Sequence, residues 1–401
     1  MTRLITYLPT PGGLTGAPRR LLTLAGALRS QGFEVCIAAD ADSELLMEAN
    51  RRGFETRAVS PVGVLALRGG ALFGGGVMFR LRTGWSLLRQ NIRFWSAVKS
   101  FNADVVWIRA SKGIAFAGLG KLLASRPLIW DVDYELPSKG LVRWLHRFGL
   151  WTAAAVVFQY RSAPVGVFGG ELSQRYVEKF HSIIPGIDLD SVRPYRERRR
   201  SREIEPGRPF TILQVGTICD RKNQLLVLEA LDKLKARDIP ERPEVRVRFV
   251  GGFSDQEYEK RVRASIADMG LGDSVELLGW RDDVHALMAE ADLLVMPSRD
   301  EGVPNTVQEA MYIGLPAIVG DAGGMPEVVD HGVTGWVLPV DDPGMWAGQI
   351  ECCLRREDRC VGVGNAAAIY AEQHFGTENW GAQYAHIISS VAPRSTLVFK
   401  D

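Results

Sequence analysis

LLVMPSRDEGVPNTVQEAMYIGLPAIVGDAGGMPEVVDHGVTGWVL, residues 293 to 338, is the stretch whose reading decides the fold. It opens on an apolar run, Leu293 to Met296, of strand length and closed by Pro297. Ser298 to Pro304 is a polar loop, and a helix follows it. Asn305 or Thr306 is placed to cap that helix, Thr306-x-x-Glu309 has the form of a capping box, and Val307, Ala310 and Met311 recur at helical spacing. Gly314 and Pro316 stop the helix, and Ala317 to Val319 is the next strand. Strand, loop, helix, strand is a βαβ unit. In doubly wound sheets built from such units, ligands bind at the carboxyl ends of the strands.

This unit carries two carboxylates eight positions apart, Glu301 and Glu309, in the pattern E-G-x-P-x-x-x-x-E-A-M-x-x-G-x-P. A bare pair at this spacing reads as a helix cap plus a solvated loop charge. Here Gly302, Pro304, Ala310, Met311, Gly314 and Pro316 are all in step with it, and the whole resembles the E-x7-E signature of retaining family 4 glycosyltransferases of GT-B fold, the glycosyl transferases group 1. The physics agrees with that resemblance. Amides at a helix N-terminus favour a phosphate or sugar oxygen, and carboxylates beside them accept charge-assisted hydrogen bonds from sugar hydroxyls.

Composition narrows the alternatives. The chain has 401 residues, 46% hydrophobic and 24% charged, which is ordinary for a globular protein of two or three domains. A net charge of +1 offers no argument for nucleic acid, and none is expected as a partner. Five cysteines without a C-x2-C pair fit a reducing cytosol better than a disulfide framework, so a cytoplasmic location is expected. Six histidines show no metal-ligand spacing, and no run reaches the length of a membrane span.

Outward from the central stretch, the first half opens with strand Leu4 to Leu8, a loop holding Gly12, Gly13 and Gly16, a helix and strand Val35 to Ala39. That is the start of a Rossmann-like half, and the loop resembles the one that lies under the donor diphosphate and acceptor in the family. Its glycines do not form G-x-G-x-x-G, which disfavours a dehydrogenase. Further strands are expected at Val105 to Ile108 and Leu128 to Val132. The second ends in W-D-V-D-Y-E, where the family often carries a histidine and this chain has Asp133. Asp131-Val132-Asp133 has a D-x-D form, but Asp40-Ala41-Asp42 and Asp188-Leu189-Asp190 have it equally, so no metal is read from it.

Two stretches are basic and aromatic. In residues 62 to 100, Trp85, Leu88, Ile92 and Trp95 share a helical face flanked by Arg82, Arg89 and Arg93, and KGLVRWLHRFGLW spans 139 to 151. They read either as core-packing helices with solvated arginines or as basic amphipathic helices lying on an anionic membrane. Peripheral membrane contact at the inner face is therefore one expectation. SIIPGIDLDSVRP, 182 to 194, resembles the segment that closes the family's first domain, and the charged run to Pro209 reads as a solvated linker.

The second half has strand Thr211 to Val215, then GTICDRKNQ, resembling the family's V-G-R-L-x-x-x-K-G. Lys222 matches the lysine, Gly216 permits the turn, Thr217 stands where the family has arginine, and Arg221 is a compensating cation. Gly279 and Trp280, at the end of strand Val275 to Trp280, stand where the family holds the nucleotide base.

The resemblance implies a GT-B architecture: two Rossmann-like, doubly wound α/β domains facing across a cleft. The expected bounds are an acceptor-binding domain over 1–194, a linker over 195–209, a nucleotide-sugar-binding domain over 210–373, and a tail over 374–401 that crosses back to the first domain. It implies transfer of a sugar from a UDP- or GDP-linked donor to a glycan or lipid-linked acceptor, with retention and without a required metal or other cofactor. Glu301, Asp133 and Lys222 are the candidate catalytic residues. The donor would be held by Gly13, Gly16, Gly216, Thr217, Arg221, Lys222, Gly279, Trp280, Glu301, Gly302, Val303, Pro304, Asn305 and Glu309. The other reading is a glycosyltransferase-like binding or partner protein with little turnover, favoured by Thr217 and Asp133. A sugar-nucleotide epimerase is weaker, because its motifs differ.

Overall fold

The protein, a computed structural model, is described over residues 1–9, 13–14, 16–66, 76–119, 126–132, 140–203, 207–237, 243–355 and 357–393. It divides into two compact units, Met1–Pro185 with Thr377–Asp401, and Gly186–Gly376. Each is built on a parallel sheet, and the apolar strand runs read from sequence are buried on both faces, as parallel strands covered by helices must be.

In the first unit the elements run β1 (Arg3–Tyr7), α1 (Gly16–Ser30), β2 (Glu34–Ala39), α2 (Glu44–Arg51), β3 (Glu55–Ala58), α3 (Val77–Phe101), β4 (Val105–Arg109), α4 (Ala110–Ala117), β5 (Leu128–Val132), α5 (Gly140–Thr152), β6 (Ala155–Phe158), α6 (Ala163–Phe168), α7 (Gly170–Arg175) and β7 (Phe180–Ser182). Strand order is β3-β2-β1-β4-β5-β6-β7, all parallel. One sheet face is covered by α3 to α6 around Phe94, Trp130 and Phe158. The other is covered by α1, α2 and a final helix from the far end of the chain, whose Trp380, Tyr384 and Ile387 join Leu21, Ile37 and Trp107.

The second unit runs α8 (Leu189–Arg200), β8 (Phe210–Val215), α9 (Gln224–Lys235), β9 (Val245–Val250), α10 (Gln256–Asp268), β10 (Val275–Gly279), α11 (Val284–Glu290), β11 (Leu293–Met296), α12 (Asn305–Ile313), β12 (Ala317–Gly320), α13 (Met325–Val328), β13 (Trp336–Leu338), α14 (Pro343–Arg355) and α15 (Glu357–His374). Its parallel sheet has the order β10-β9-β8-β11-β12-β13. The two ends of this unit meet: Ile187 pairs with Gly376 in a parallel bridge, and its N–H donates to Phe375 O at 2.9 Å. The final helix, α16 (Thr377–Val391), belongs to the first unit.

Three local expectations are corrected. The charged run from 195 is helical as far as Arg200, not a linker, and its arginines are not all solvated. Arg199 donates to Gly314 O at 3.0 Å and to the carbonyls of Met288, Ala289 and Ala291, and Arg202 shares Ala291 O at 3.2 Å. These carbonyls end α11 and α12, where a cation meets both the orphan acceptors and the negative end of the helix dipole. Burial, with the Arg202 charge adding to it, pushes the Arg199 pKa down to about 10.

The capping box is also absent. Pro304, at φ −69° and ψ 129°, is the N-cap of α12, so Asn305 and Thr306 are already helical and no side chain closes the end. Finally, Trp85, Leu88, Ile92 and Trp95 do not share an environment. Trp95 is in the core, while the other three are exposed.

His146 on α5 is enclosed beside Trp130 and Phe168, with Nε2 2.8 Å from Ser111 Oγ. Burial pushes its imidazole down to about 4. The folded form therefore resists a proton that the unfolded chain accepts near pH 6.5, so stability is full above that value and falls as pH drops towards 4. The expected loss at pH 4 is about 2–3 kcal/mol in the first unit. Denaturant unfolding at pH 7 and pH 4.5 checks this: His146→Gln should flatten the difference, and an equal acid loss in both proteins would refute the assignment.

Candidate active site

Sheet topology fixes where to look. In the second unit the chain winds outward from β8 through β9 to β10, then returns to β11 and winds the other way, so β8 and β11 flank the switch point. Crevices at the carboxyl ends of such strands are the ligand sites of open α/β sheets. The segments leaving β8 and β11 are the ones carrying Lys222 and Glu301.

The structure brings these residues together. After β8, Gly216 turns at φ +141°, and residues 220–222 form a short 3-10 turn. Lys222 Nζ lies 2.6 Å from Glu301 Oε1, and Arg221 Nη1 bonds the same oxygen. Arg221 Nη1 also donates to Asp300 O at 3.0 Å, and Arg299 N–H donates to Arg221 O at 2.9 Å, which stitches the two loops by main chain as well. Lys222 is buried, with Nζ 3.8 Å from Met296 Sδ, and its stem occupies the space beside Gly216 that a Cβ would need. Two cations on one carboxylate leave a net positive charge at the switch point. That suits a diphosphate, whose charge grows as a sugar–phosphate bond breaks.

Close backbone approach holds this edge. A Cβ on Gly251 (φ +146°) would sit 2.1 Å from Gly216 O, and Gly251 N–H donates to Gly279 O at 2.8 Å, tying the ends of β8, β9 and β10. Gly279 turns at φ +65° and leaves Trp280 72% exposed, an aromatic face open to a base or to solvent. On the other side Gly323 (φ +59°) fits against the Glu301 carbonyl, and Gly324 N–H donates to Gly302 O at 3.1 Å. Gly302, Val303 and Pro304 are buried beneath the start of α12, while Asn305 is half-buried at its first turn. Glu309, one turn on, sits 3.4 Å from His285 of α11 and is not in the Lys222 cluster. Thr217 offers its carbonyl to Gln224 Nε2 at 3.3 Å.

In the first unit the switch point lies between β1 and β4. Gly13 and Gly16 follow β1, and Leu14 N–H is held by Glu44 Oε2 at 2.8 Å. Added carbon at Gly16 would meet nothing within 4 Å. Gly12 and Asp133 lie outside the described residues.

Sequence reasoning missed a network at the carboxyl edge of this sheet. Arg109, at the end of β4 and 1% exposed, pairs with Asp131 at 3.5 Å and reaches Ala17 O at 3.5 Å, at the start of α1. Tyr384 Oη of α16 donates to Asp131 Oδ2 at 3.0 Å. Ala110, next in chain, is left-handed at φ +59°, a strained conformation for alanine that clusters at ligand sites. No local pattern announces a network in which directly bonded partners are as much as 253 positions apart.

Comparison with known proteins bears on the family of both halves. Residues 196–369 match the model of glycosyl transferases group 1, and residues 15–163 match the glycosyl transferase 4-like domain. The amylovoran biosynthesis glycosyltransferase AmsK of Erwinia amylovora is 29% identical over 192 residues, 46% of either chain, so the match spans about half the length of that relative. The GDP-mannose-dependent alpha-(1-6)-phosphatidylinositol monomannoside mannosyltransferase of Mycobacterium tuberculosis is 27% identical over 322 residues, 74% of this chain and 79% of that one. Among solved structures, Anabaena Alr3699/HepE in complex with UDP superposes with a TM-score of 0.76 at 20% identity, covering 97% of this chain and 100% of that one. The sucrose-phosphate synthase of Thermosynechococcus elongatus gives 0.77 at 17% identity, covering 97% and 99%. These likenesses show a shared fold, and with the two family models, which lie one in each half, they establish that the chain belongs to the group 1 glycosyltransferases of GT-B fold.

Proposed function

We propose that this protein moves a sugar from a UDP- or GDP-linked donor to a hydroxyl of a glycan or lipid-linked acceptor, as a hexosyltransferase that retains anomeric configuration and requires no metal. The observation that carries the reading is the Lys222–Glu301–Arg221 cluster at the switch point of the second sheet. Lys222 and Arg221 neutralise the leaving diphosphate, taking the part that a divalent cation plays elsewhere. Glu301, with amides of the Gly302–Asn305 segment, orients the sugar, and Glu309 takes the ribose hydroxyls. Trp280 and the Gly279 backbone bracket the base. Gly13, Gly16 and Asp133 act from the first unit, with Arg109 holding the turn at Ala17 in place. Relatives named for GDP-mannose and structural neighbours holding UDP lend support to both donor classes. The expected setting is the cytoplasm, at the inner face of a membrane where the acceptor is lipid-linked.

Incubation with UDP-, GDP- and ADP-sugars, with and without EDTA, tests this through nucleoside diphosphate release. Release from one donor, unaffected by EDTA and reduced about tenfold or more in Glu309→Ala, is the expected result. Thr217 and Asp133, in place of the family's arginine and histidine, are the features that favour a nucleotide-sugar-binding protein with little turnover. Tight nucleotide binding without release, even with lipid-linked and soluble acceptor pools added, would decide for that reading.

A further inference from the structure

Helix α3 is amphipathic the wrong way round for a helix that faces water. In its amino-terminal part the inward side chains are polar: Thr83, Ser86, Gln90 and Asn91 are all buried, and Gln90 donates to Tyr7 Oη at 2.9 Å. The outward ones are apolar: Met78, Leu81, Trp85, Leu88 and Ile92 are 67, 64, 63, 38 and 53% exposed. Their spacing of three and four residues makes one continuous stripe, about 21 Å long at 1.5 Å per residue. Arg82, Arg89 and Arg93, spaced seven and four, run along one edge of it, all exposed. A shallow groove beside Trp85 is lined by Gly63, Val64, Leu81, Arg82 and Arg89, apolar walls with two guanidinium groups at hand.

A second helix repeats the pattern on the same sheet face. On α5, Val142, Trp144 and Trp151 are exposed, with Arg143 and Arg147 between them. Neither 77–101 nor 140–152 contains a single Asp or Glu, although the chain has 47. Among the described residues Arg143 pairs with a carboxylate of α7, Glu171, 3.7 Å away. Both helices follow a strand and run back along the sheet, so their amino-terminal ends, where Met78, Leu81 and Trp144 lie, border the carboxyl edge that holds Gly13 and Arg109.

We propose that the α3 stripe and the exposed aromatics of α5 form a docking face for an anionic lipid bilayer, with the apolar side chains in the headgroup–acyl boundary and the arginines on lipid phosphates. Exposed tryptophan, flanking guanidinium and the absence of Asp and Glu from both helices together select a negatively charged lipid surface over an uncharged one or an exposed basic protein. This surface belongs to the first unit and owes nothing to the transferase reading. It adds to that reading a direction: the edge of the first sheet that would take an acceptor is turned to the membrane.

Flotation of the full chain with vesicles of phosphatidylcholine, alone or mixed with phosphatidylglycerol, tests it. The protein should float with the mixed vesicles, with binding roughly tenfold or more weaker on phosphatidylcholine, at high salt, or in Trp85→Ser/Trp144→Ser. Circular dichroism confirms folding of the variant, and should it not fold, Leu81→Gln/Ile92→Gln reads the same face. Wild-type protein left in the soluble fraction would overturn the proposal, as would equal flotation of wild type and folded variants. A concentration-dependent dimer in place of vesicle binding, dissolved by the same substitutions, would assign the face to a second copy instead.

Discussion

Lys222→Ala is expected to lower kcat/KM for sugar transfer by about 10²–10³-fold, the cost of removing one preorganised charge from a developing anion. The ammonium group is fixed rather than solvated. Its stem fills the space left by Gly216, its residue is 8% exposed, and Glu301 holds it at 2.6 Å. Such a cation reorganises little when negative charge appears, so its loss should fall more on kcat than on donor affinity. Arginine is not expected to restore the rate. A planar guanidinium beside Gly216 must displace either Met296 or the Arg221 side chain that already shares Glu301. Initial rates over a range of donor concentration, beside the melting temperature, check the result. A loss of less than threefold in a folded variant would take Lys222 out of the diphosphate site.

Gly323→Ala should be the most disruptive single methyl group at this edge. A Cβ at this position would sit 1.6 Å from the carbonyl oxygen of Glu301 and 2.7 Å from its carbonyl carbon, and φ is +59°. A left-handed alanine costs about 1–2 kcal/mol by itself. The clash adds to it, because the opposing atoms are backbone and cannot rotate away. The loop must move, and with it the carboxylate that anchors Lys222 and Arg221. Loss of about 2–4 kcal/mol in stability is expected, with transfer activity down by about a hundredfold or more in whatever remains folded. Gly16→Ala is the control: nothing lies within 4 Å of its added carbon, and alanine at the first position of α1 should leave the melting temperature unchanged. Thermal melts and donor kinetics on both variants check the pair, and equal melting of Gly323→Ala and wild type would refute the steric account.

How much of this was legible in the sequence follows from what is local. Leu293–Met296 is an apolar run closed by Pro297, and Leu128–Val132, apart from Asp131, is an apolar run that follows Pro127; both strands lie where their composition puts them. Glu301 and Lys222 were found because their flanking residues form a pattern, although that pattern says nothing of the 2.6 Å ion pair between segments 79 positions apart. The arginines of 199–208 look alike in sequence. Only the ends of α11 and α12, brought alongside by packing, distinguish Arg199 from a solvated neighbour. Helix α3 shows the limit of periodicity. Its apolar residues lie on two nearly opposite faces, Met78 to Ile92 on one and Phe94, Val98 and Phe101 on the other, and a period reports that stripes exist without saying which of them the sheet will cover.

The meeting of Ile187 with Phe375 and Gly376 bears on the order in which the nascent chain is assembled. Helix α16 completes the core of the first unit, so Trp107 and Leu21 stay partly uncovered until residues past 376 have left the ribosome. Bringing that helix back across an unfolded segment of about 190 residues would cost roughly 4–5 kcal/mol of closure entropy. A second unit that folds first removes most of that cost, since its own ends already lie one hydrogen bond apart. The inserted unit thus acts as a clasp, delivering Thr377 to the neighbourhood of Pro185 and turning a long-range closure into a local one.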